Sequence, residues 1–309
     1  MMNYSDDYRN EKELINIIIG LTFPRSDFPH PFFKLGYELK AIEQSFINYK
    51  GNTVKPDLII ANKRNGYIIL FEAKSGKNAG KKQLENYSNI KKDDLINNAG
   101  FQRDFVQNGF DVSYLCYQYT YIDEEKTAAY KHLIKGIEKS YHFPVLKYDK
   151  DNGYLSLELN DFTDEKINKL TANIIQIPQD KIPQVINFDQ HSSIKDLTPV
   201  AVQNLISYIL EEKLEFTLEE LTNDLLSPYP GLESIIGSET KKAVKNKVRS
   251  VMSKLKDKKP DYFKWRNDQK YWEINESLSN PNYNQLNALR NLIIDANKTV
   301  EGQMNIFDK

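Results

Sequence analysis

Two short apolar runs separated by a turn signal constrain the fold of this chain more than any other feature. The runs are residues 58–61 and 67–71, and Asn65-Gly66 between them is typical of a tight hairpin turn. Apolar runs of this length on either side of such a dipeptide predict two antiparallel strands. We therefore expect this hairpin to form the centre of a hydrophobic sheet.

Acidic and basic side chains lie at one end of the predicted hairpin. Asp57 comes directly before the first strand, while Glu72 and Lys74 lie towards the end of the second. Antiparallel pairing brings Asp57 near the other two, and residues two apart on a strand point to the same face. Two carboxylates predict a site for Mg²⁺ or Mn²⁺, since such ions prefer oxygen ligands. The carbonyl of Ala73 is a further candidate ligand.

Such a site suits the hydrolysis of a phosphodiester. A divalent cation can stabilise charge on the scissile phosphate and lower the pKa of a bound water. Lys74 could position or deprotonate the attacking water, or offset negative charge at the transition state. The chemistry of this site therefore predicts a metal-dependent phosphodiester hydrolase.

Pro56-Asp57 and Glu72-Ala73-Lys74 resemble the motif of the PD-(D/E)xK nuclease superfamily. Gln83 and Tyr87 lie four residues apart on a predicted helix, hence on one face, and resemble the Gln-x-x-x-Tyr element of the RecB-like branch. The resemblance extends over roughly residues 8–120. It implies an α/β, restriction-endonuclease-like fold, with a mixed central sheet flanked by helices. It also implies that Gln83 and Tyr87 lie beside the active site and contact nucleic acid.

Members of this superfamily usually place another acidic residue upstream, on the first helix or beside it. The candidates are Glu11 and Glu13, in a helix predicted over residues 8–20, and Glu38 and Glu43, within residues 37–46. Residues 37–46 fit either a second helix or the first core strand. We favour Glu43, because Ile42 and Phe46 indicate that its segment packs close to the sheet, but the other three remain open.

The composition is that of a soluble, two-domain protein. A length of 309 residues fits two domains better than one, and 40% apolar residues are enough for real cores. No apolar run is long enough to span a membrane, and no signal peptide is evident, so we expect a cytoplasmic location. Cys116 is the single cysteine, which excludes an internal disulfide, and the four histidines are too scattered for a zinc cluster.

The predicted elements place a domain boundary after residue 177. After the Gln83 helix we predict a buried strand over 111–118 as the last of the catalytic sheet, a helix over 124–141, strands over 143–148 and 154–159, and a helix over 164–175. Residues 178–197 contain Pro178 and Pro183 and are predicted to be a linker. The chain then divides into a nuclease domain, 1–177, and a second domain, 198–309.

The second domain is predicted to contain three helices followed by an aromatic hairpin, an order that resembles a winged helix-turn-helix domain. The predicted features are a helix opening at Thr198-Pro199 with Thr198 as N-cap, a helix opening with a capping box between Thr217 and Glu220, a helix over 239–256, strands over 262–265 and 271–274, and an amphipathic tail helix over 282–297.

The third of these helices is strongly basic, although the net charge of the chain is only −1. Residues 239–259 carry nine positive charges against two negative ones, which predicts contact with a polyanion such as DNA. Because lysine predominates, we expect contacts with phosphates rather than readout of bases. The candidate DNA-contacting residues are Lys241, Lys242, Lys245, Lys247 and Arg249.

The sequence therefore predicts a Mg²⁺- or Mn²⁺-dependent deoxyribonuclease that acts in restriction, phage defence or mobile-element processing, as a homodimer or with a partner protein. One alternative is a nuclease subunit that is silent until a partner engages it. The other is a DNA-binding regulator or adaptor with a vestigial nuclease fold. The complete set of Asp57, Glu72 and Lys74 argues against decay of the site.

Overall fold

The chain divides into two compact units. The computed structural model describes residues 4–75, 80–118, 124–227, 229 and 231–292. The first unit runs to Val185 and also includes Ile235–Gly237, and the second comprises Ile186–Ser234 and the residues from Ser238 onward. The division at Val185 lies inside the segment 178–197. Within the described part of the chain, every helix is too short or too polar to span a bilayer.

The first unit is an α/β structure built on a mixed sheet. Its strands are β1 (Glu38–Ile42), β2 (Phe46–Ile47), β3 (Thr53–Val54), β4 (Leu58–Asn62), β5 (Tyr67–Lys74), β6 (Gly109–Gln118), β7 (Val145–Asp149), β8 (Tyr154–Leu159) and β9 (Ile175–Gln176). In the described residues, seven of these strands form one sheet in the order β1-β4-β5-β6-β7-β8-β9, while β2 and β3 form a separate ribbon. The β5–β6 and β6–β7 pairs are parallel and the others antiparallel.

Helices accompany this sheet along the chain. They are α1 (Tyr4–Leu21), α2 (Pro31–Lys34), α3 (Lys81–Ser88), α4 (Lys92–Asn97), α5 (Glu124–Ser140) and α6 (Glu165–Thr171). The predicted hairpin and the predicted helices over 8–20 and 124–141 are confirmed. The helix predicted over 164–175 is shorter, because the chain returns to the sheet at Ile175 as strand β9.

The structure decides one alternative for the sheet that the sequence left open, and it corrects one expectation. Residues 37–46, which fitted a helix or a strand, contain strand β1. The expectation that strand 111–118 is the last of the sheet is wrong, because β7, β8 and β9 extend the sheet beyond β6. Val145, Leu146 and Tyr148 on β7 are fully buried, so this strand is part of the core rather than an appendage.

The core explains why the hairpin strands are apolar throughout. All residues of β4 are buried, and so are all of β5 except Lys74. Strands covered on both faces read as continuous apolar runs instead of alternating ones. On α1, Leu14, Ile17 and Ile18 are fully buried, and this helix contacts β5.

The described part of the second unit contains three helices, a small sheet and a helical tail segment. Its elements are α7 (Ile194–Leu210), β10 (Glu215–Phe216), α8 (Leu218–Leu226), α9 (Ser238–Lys258), β11 (Phe263–Arg266) and β12 (Tyr271–Ile274). The sheet has the order β10-β12-β11. The predicted helices and hairpin are therefore present. Residues 283–292 are helical, as predicted for the tail, and residues 293–297 of that prediction lie outside those described.

The start of α7 differs from the prediction. Ser193, not Thr198, caps the helix, because its hydroxyl accepts the Asp196 amide at 3.2 Å while the Asp196 carboxylate accepts the Ser193 amide at 3.1 Å. This reciprocal pair satisfies two amides that a helix terminus leaves without partners. The prediction that Thr198 is the N-cap is therefore wrong, and Pro199 lies inside the helix. The helix begins within the predicted linker.

Candidate active site

The β4–β5 hairpin brings Asp57 beside the end of β5. Leu58 pairs with Phe71 across the hairpin, and the amide of Asp57 donates to the carbonyl of Phe71 at 3.0 Å. The Asp57 carboxylate accepts the amide of Ala73 at 2.8 Å. The turn that sets this register contains Gly66 with φ of 58°, a conformation that favours glycine. Asp57 is thereby fixed by backbone groups next to Glu72.

Glu72 is the centre of a hydrogen-bond network. Its side chain is buried, with 3% of the residue exposed. One oxygen, Oε1, accepts the ammonium of Lys74 at 2.5 Å and the amide nitrogen of Gln83 at 2.6 Å. The other oxygen, Oε2, accepts the hydroxyl of Tyr87 at 2.6 Å. Gln83 and Tyr87 both come from α3, so this helix orients the carboxylate that β5 presents.

Burial and charge perturb the ionisable groups of this network. Burial, followed by the charge of Glu72, raises the pKa of Asp57 well above its ordinary value. Burial by itself lowers the pKa of Lys74, but the carboxylates of Glu72 and Asp57 outweigh it, so that the net pKa is raised. Lys74 is therefore a firmly protonated cation held between acidic groups.

The four upstream glutamates occupy different environments. Glu11 on α1 accepts the amide of Ser75 at 3.3 Å, and its negative charge contributes to raising the pKa of Lys74. Burial raises the pKa of Glu11 itself, despite the opposing effect of Lys74. Glu13 pairs with Lys150 at 2.9 Å, and Glu38 pairs with Lys40 at 2.6 Å. Glu11 thus joins the electrostatic network of Lys74.

Glu43, the upstream residue favoured from the sequence, lies on the Asp57 side of the hairpin. Its amide donates to the carbonyl of Asp57 at 2.9 Å, and its backbone has a φ of 50°. The carboxylate pairs with Lys55 at 3.0 Å and adds to the rise in the pKa of Asp57. Glu11 and Glu43 therefore approach the site from different elements. A signal for Glu11 existed in the sequence, because it precedes the buried Leu14 by three residues and shares its helix face.

Comparison with known proteins places this region in a family. Residues 10–187 match the MJECL32 domain. The chain belongs to the MJECL32 domain family. The matched range contains every residue of the network, from Glu11 to Tyr87. No solved structure matches the chain.

A relative within this family is the uncharacterized protein MJECL32 of Methanocaldococcus jannaschii. It is 29% identical over 188 residues, an alignment that covers 53% of this chain. The chain spans only 38% of the length of that relative. The family match ends at residue 187, so the second unit lies mostly beyond it.

The donor set of the MJECL32 domain can be compared with the needs of a divalent cation. Among the described residues, no group of three or more His, Cys, Asp or Glu side chains is arranged to hold a metal ion. Mg²⁺, however, commonly binds through one or two carboxylates together with water and substrate phosphate. Asp57 and Glu72 supply two carboxylates. Ala73, whose carbonyl is the further candidate ligand, donates its backbone amide to the Asp57 carboxylate.

The five candidate DNA-contacting residues of α9 differ in their surroundings. The ammonium of Lys247 donates to the carbonyls of Gln190 and Ser192 at 2.5 and 2.7 Å, and Lys245 pairs with Glu219 at 2.5 Å. Lys241 is half-buried, and Lys242 and Arg249 are exposed. Lys247 therefore supports the start of α7, whereas Lys242 and Arg249, seven residues apart and so nearly two helical turns, lie on one exposed face.

Proposed function

We propose that this protein is a Mg²⁺- or Mn²⁺-dependent deoxyribonuclease that hydrolyses DNA phosphodiester bonds. The observation that carries the proposal is the convergence of Asp57, Glu72 and Lys74 at one end of the β4–β5 hairpin. The α3 pair, Gln83 and Tyr87, binds the same carboxylate. The order of hairpin, α3 and parallel strand β6 supports a restriction-endonuclease-like fold for the first unit.

Asp57 and Glu72 would hold the cation. When bound, the cation would stabilise negative charge on the scissile phosphate and favour ionisation of a water. Lys74 acts as a donor rather than as a base, because the surrounding carboxylates raise its pKa and keep its ammonium protonated. It orients a water or a phosphate oxygen and offsets charge in the transition state. Gln83 and Tyr87 keep Glu72 in place.

The second unit supports this activity by binding the DNA backbone. Its three helices and the β10-β12-β11 sheet support a winged-helix arrangement, with α9 as the basic helix. Lys242 and Arg249 are the best placed to contact phosphates, since both are exposed. The proposed setting is a cytoplasmic restriction, phage-defence or mobile-element system, with a second copy or a partner protein.

A specific observation favours the adaptor alternative. Glu72 already accepts three hydrogen bonds from protein donors, as a purely structural carboxylate would. A DNA-binding adaptor with this fold would bind DNA without cutting it. Incubation of the full chain with plasmid, in EDTA and then in Mg²⁺ or Mn²⁺, separates the two functions: metal-dependent cutting supports the nuclease, and binding without cutting supports the adaptor.

Two variants test the site itself. Asp57→Ala and Lys74→Ala are each expected to reduce cleavage at least about a hundredfold, since each removes a group that acts on the transition state. Glu38→Gln is the matched control, because Glu38 is an exposed acid on β1 whose carboxylate pairs with Lys40. Circular dichroism checks that all three variants fold. Wild-type rates in both site variants would refute the assignment.

The role of α9 is tested by the salt dependence of DNA binding. Replacement of Lys242 and Arg249 together by alanine is expected to lower the slope of log K against log salt by about 0.9 for each phosphate that the protein no longer neutralises. Lys195→Ala is the control, because Lys195 is an exposed lysine on α7 of the same unit. An unchanged slope in the double variant would remove α9 from the DNA-binding surface.

A further inference from the structure

Tyr114 on β6 lies directly beside Glu72. The two residues are Cα partners in the parallel β5–β6 pair, so their side chains project from the same face of the sheet. The Tyr114 side chain is fully buried. Its ring makes an edge-on contact with the ring of Tyr87, at 6.4 Å between centroids, and stacks on Phe143 at 5.8 Å. The ring is thus locked against the residue that orients Glu72.

The hydroxyl of Tyr114 has no hydrogen-bond partner among the residues that the structure describes. A buried hydroxyl without a partner destabilises a fold, and most such groups in proteins are satisfied. The ring of Tyr114 stacks on that of Phe143, and this packing does not involve the hydroxyl. By contrast, the hydroxyl of Tyr87, in the adjacent position, donates to Glu72. Tyr114 therefore places a buried polar group, with no partner among the described residues, on the sheet face that carries Glu72.

We infer that the Tyr114 hydroxyl donates a hydrogen bond to a hydration water of the divalent cation that Asp57 and Glu72 would hold. This inference rests on the proposed function. Mg²⁺ usually retains several of its waters when it binds to protein carboxylates, and donors or acceptors around those waters fix the ion. Tyr114 is thus a binding residue that the hairpin motif does not contain.

The electrostatics of Tyr114 agree with a donor role. Burial, followed by the charge of Glu72, raises the pKa of the Tyr114 hydroxyl well above its ordinary value, and Asp57 contributes in the same direction. The hydroxyl therefore keeps its proton at neutral pH.

The test is Tyr114→Phe, which removes the hydroxyl and keeps the ring. The melting temperature of each protein is followed as Mg²⁺ or Mn²⁺ is titrated into chelator-treated samples. The midpoint of the cation-induced stabilisation is expected to rise about 10–100-fold in the variant, the usual effect of losing such a partner. The cation concentration for half-maximal plasmid cleavage should rise in parallel, with cleavage restored at high cation.

Tyr148→Phe is the matched control. Tyr148 is also fully buried, and its hydroxyl likewise has no partner among the described residues. It lies on β7, however, and the acidic groups that contribute, after burial, to raising its pKa are Glu13 and Asp149. Both variants are expected to melt in chelator at or above the wild-type temperature. Only Tyr114→Phe should shift the cation midpoint, so a general effect of losing a buried hydroxyl is separated from the loss of a bond to the ligand.

The outcomes distinguish this inference from the proposed function. If the wild type shows neither cation-induced stabilisation nor cleavage, the proposed function fails and the inference fails with it. If the wild type responds and Tyr114→Phe responds at the same midpoint, only the inference is overturned. A lower melting temperature of Tyr114→Phe in chelator, with an unchanged midpoint, would also overturn it, because the hydroxyl would then have a structural partner.

Discussion

Replacing Tyr87 by phenylalanine tests how firmly α3 holds the central carboxylate. Tyr87 is buried, with 2% exposed, and its hydroxyl donates to Glu72 Oε2 at 2.6 Å. The substitution keeps the ring and its packing against Tyr114 but removes the donor. Glu72 then retains Lys74 and Gln83, both on Oε1, while its buried Oε2 loses the Tyr87 hydroxyl. We expect the variant to fold and to be less stable.

The size of the expected loss in stability follows from the charge of Glu72, which accepts this hydrogen bond. A hydrogen bond to a charged group contributes about 1.5–3 kcal/mol, and because Glu72 is buried we expect this one to contribute about 2–3 kcal/mol. For a unit of this size, each kcal/mol shifts the melting temperature by about 2–4 °C. The expected decrease is therefore about 4–12 °C, which thermal unfolding resolves easily.

The assay is thermal unfolding in chelator at pH 7, followed by far-ultraviolet circular dichroism. Both tryptophans, Trp265 and Trp272, belong to the second unit, so tryptophan fluorescence identifies which transition belongs to that unit. Tyr148→Phe serves as the control, because it removes a buried hydroxyl that has no partner among the described residues. If the melting temperature of Tyr87→Phe falls no further than that of the control, the reasoning is refuted, because the hydrogen bond from α3 to Glu72 would then not stabilise the fold.

Three further predictions concern separate parts of the chain. Asp57→Asn is expected to raise the melting temperature in chelator at neutral pH. Because the pKa of Asp57 in the fold exceeds its ordinary value of 3.8, its ionisation removes stability as pH rises, and the advantage of the variant should grow from pH 4 upward and then level off. Thr217→Ala should cost about 0.5–2 kcal/mol in urea unfolding, because it removes the cap of α8 shared with Glu220. Gly237→Ala should cost about 1–3 kcal/mol, because a Cβ there would overlap the carbonyl of Glu43.

Local signals in the sequence were sufficient for the hairpin and for the residues that it carries. Asn65-Gly66 fixes the turn, and the turn fixes the register that places Asp57 next to Glu72 and Ala73. The spacing of Gln83 and Tyr87 places both on one face of α3, and that face meets Glu72. These features depend on contacts within about thirty residues of chain, which is why periodicity and turn chemistry predict them.

Features that depend on distant contacts were not predictable in the same way. The extension of the sheet through β7 to β9 requires pairing with β6 across the α5 crossover, and no local pattern specifies the neighbour of a strand. The approach of Glu11 to Lys74 depends on how α1 packs on β5, so a sequence pattern could propose it only as one of four glutamates. Tyr114 was missed for the same reason, since its partnership with Glu72 exists only across a parallel strand pair.

The balance of charge at the site explains why a cation is the ligand to seek. The carboxylates of Glu72, Asp57 and Glu11 all act on the single ammonium of Lys74 and raise its pKa. When all three acids are ionised, they face one ammonium with an excess of negative charge, and like charges that share a buried site destabilise it unless they are neutralised. Hydrogen bonds from Gln83 and Tyr87 reduce the cost for Glu72, but Asp57 remains under the repulsion of Glu72. A divalent cation would remove that repulsion directly, so its binding should stabilise the fold as well as complete the site, whereas a purely structural cluster would leave the excess in place.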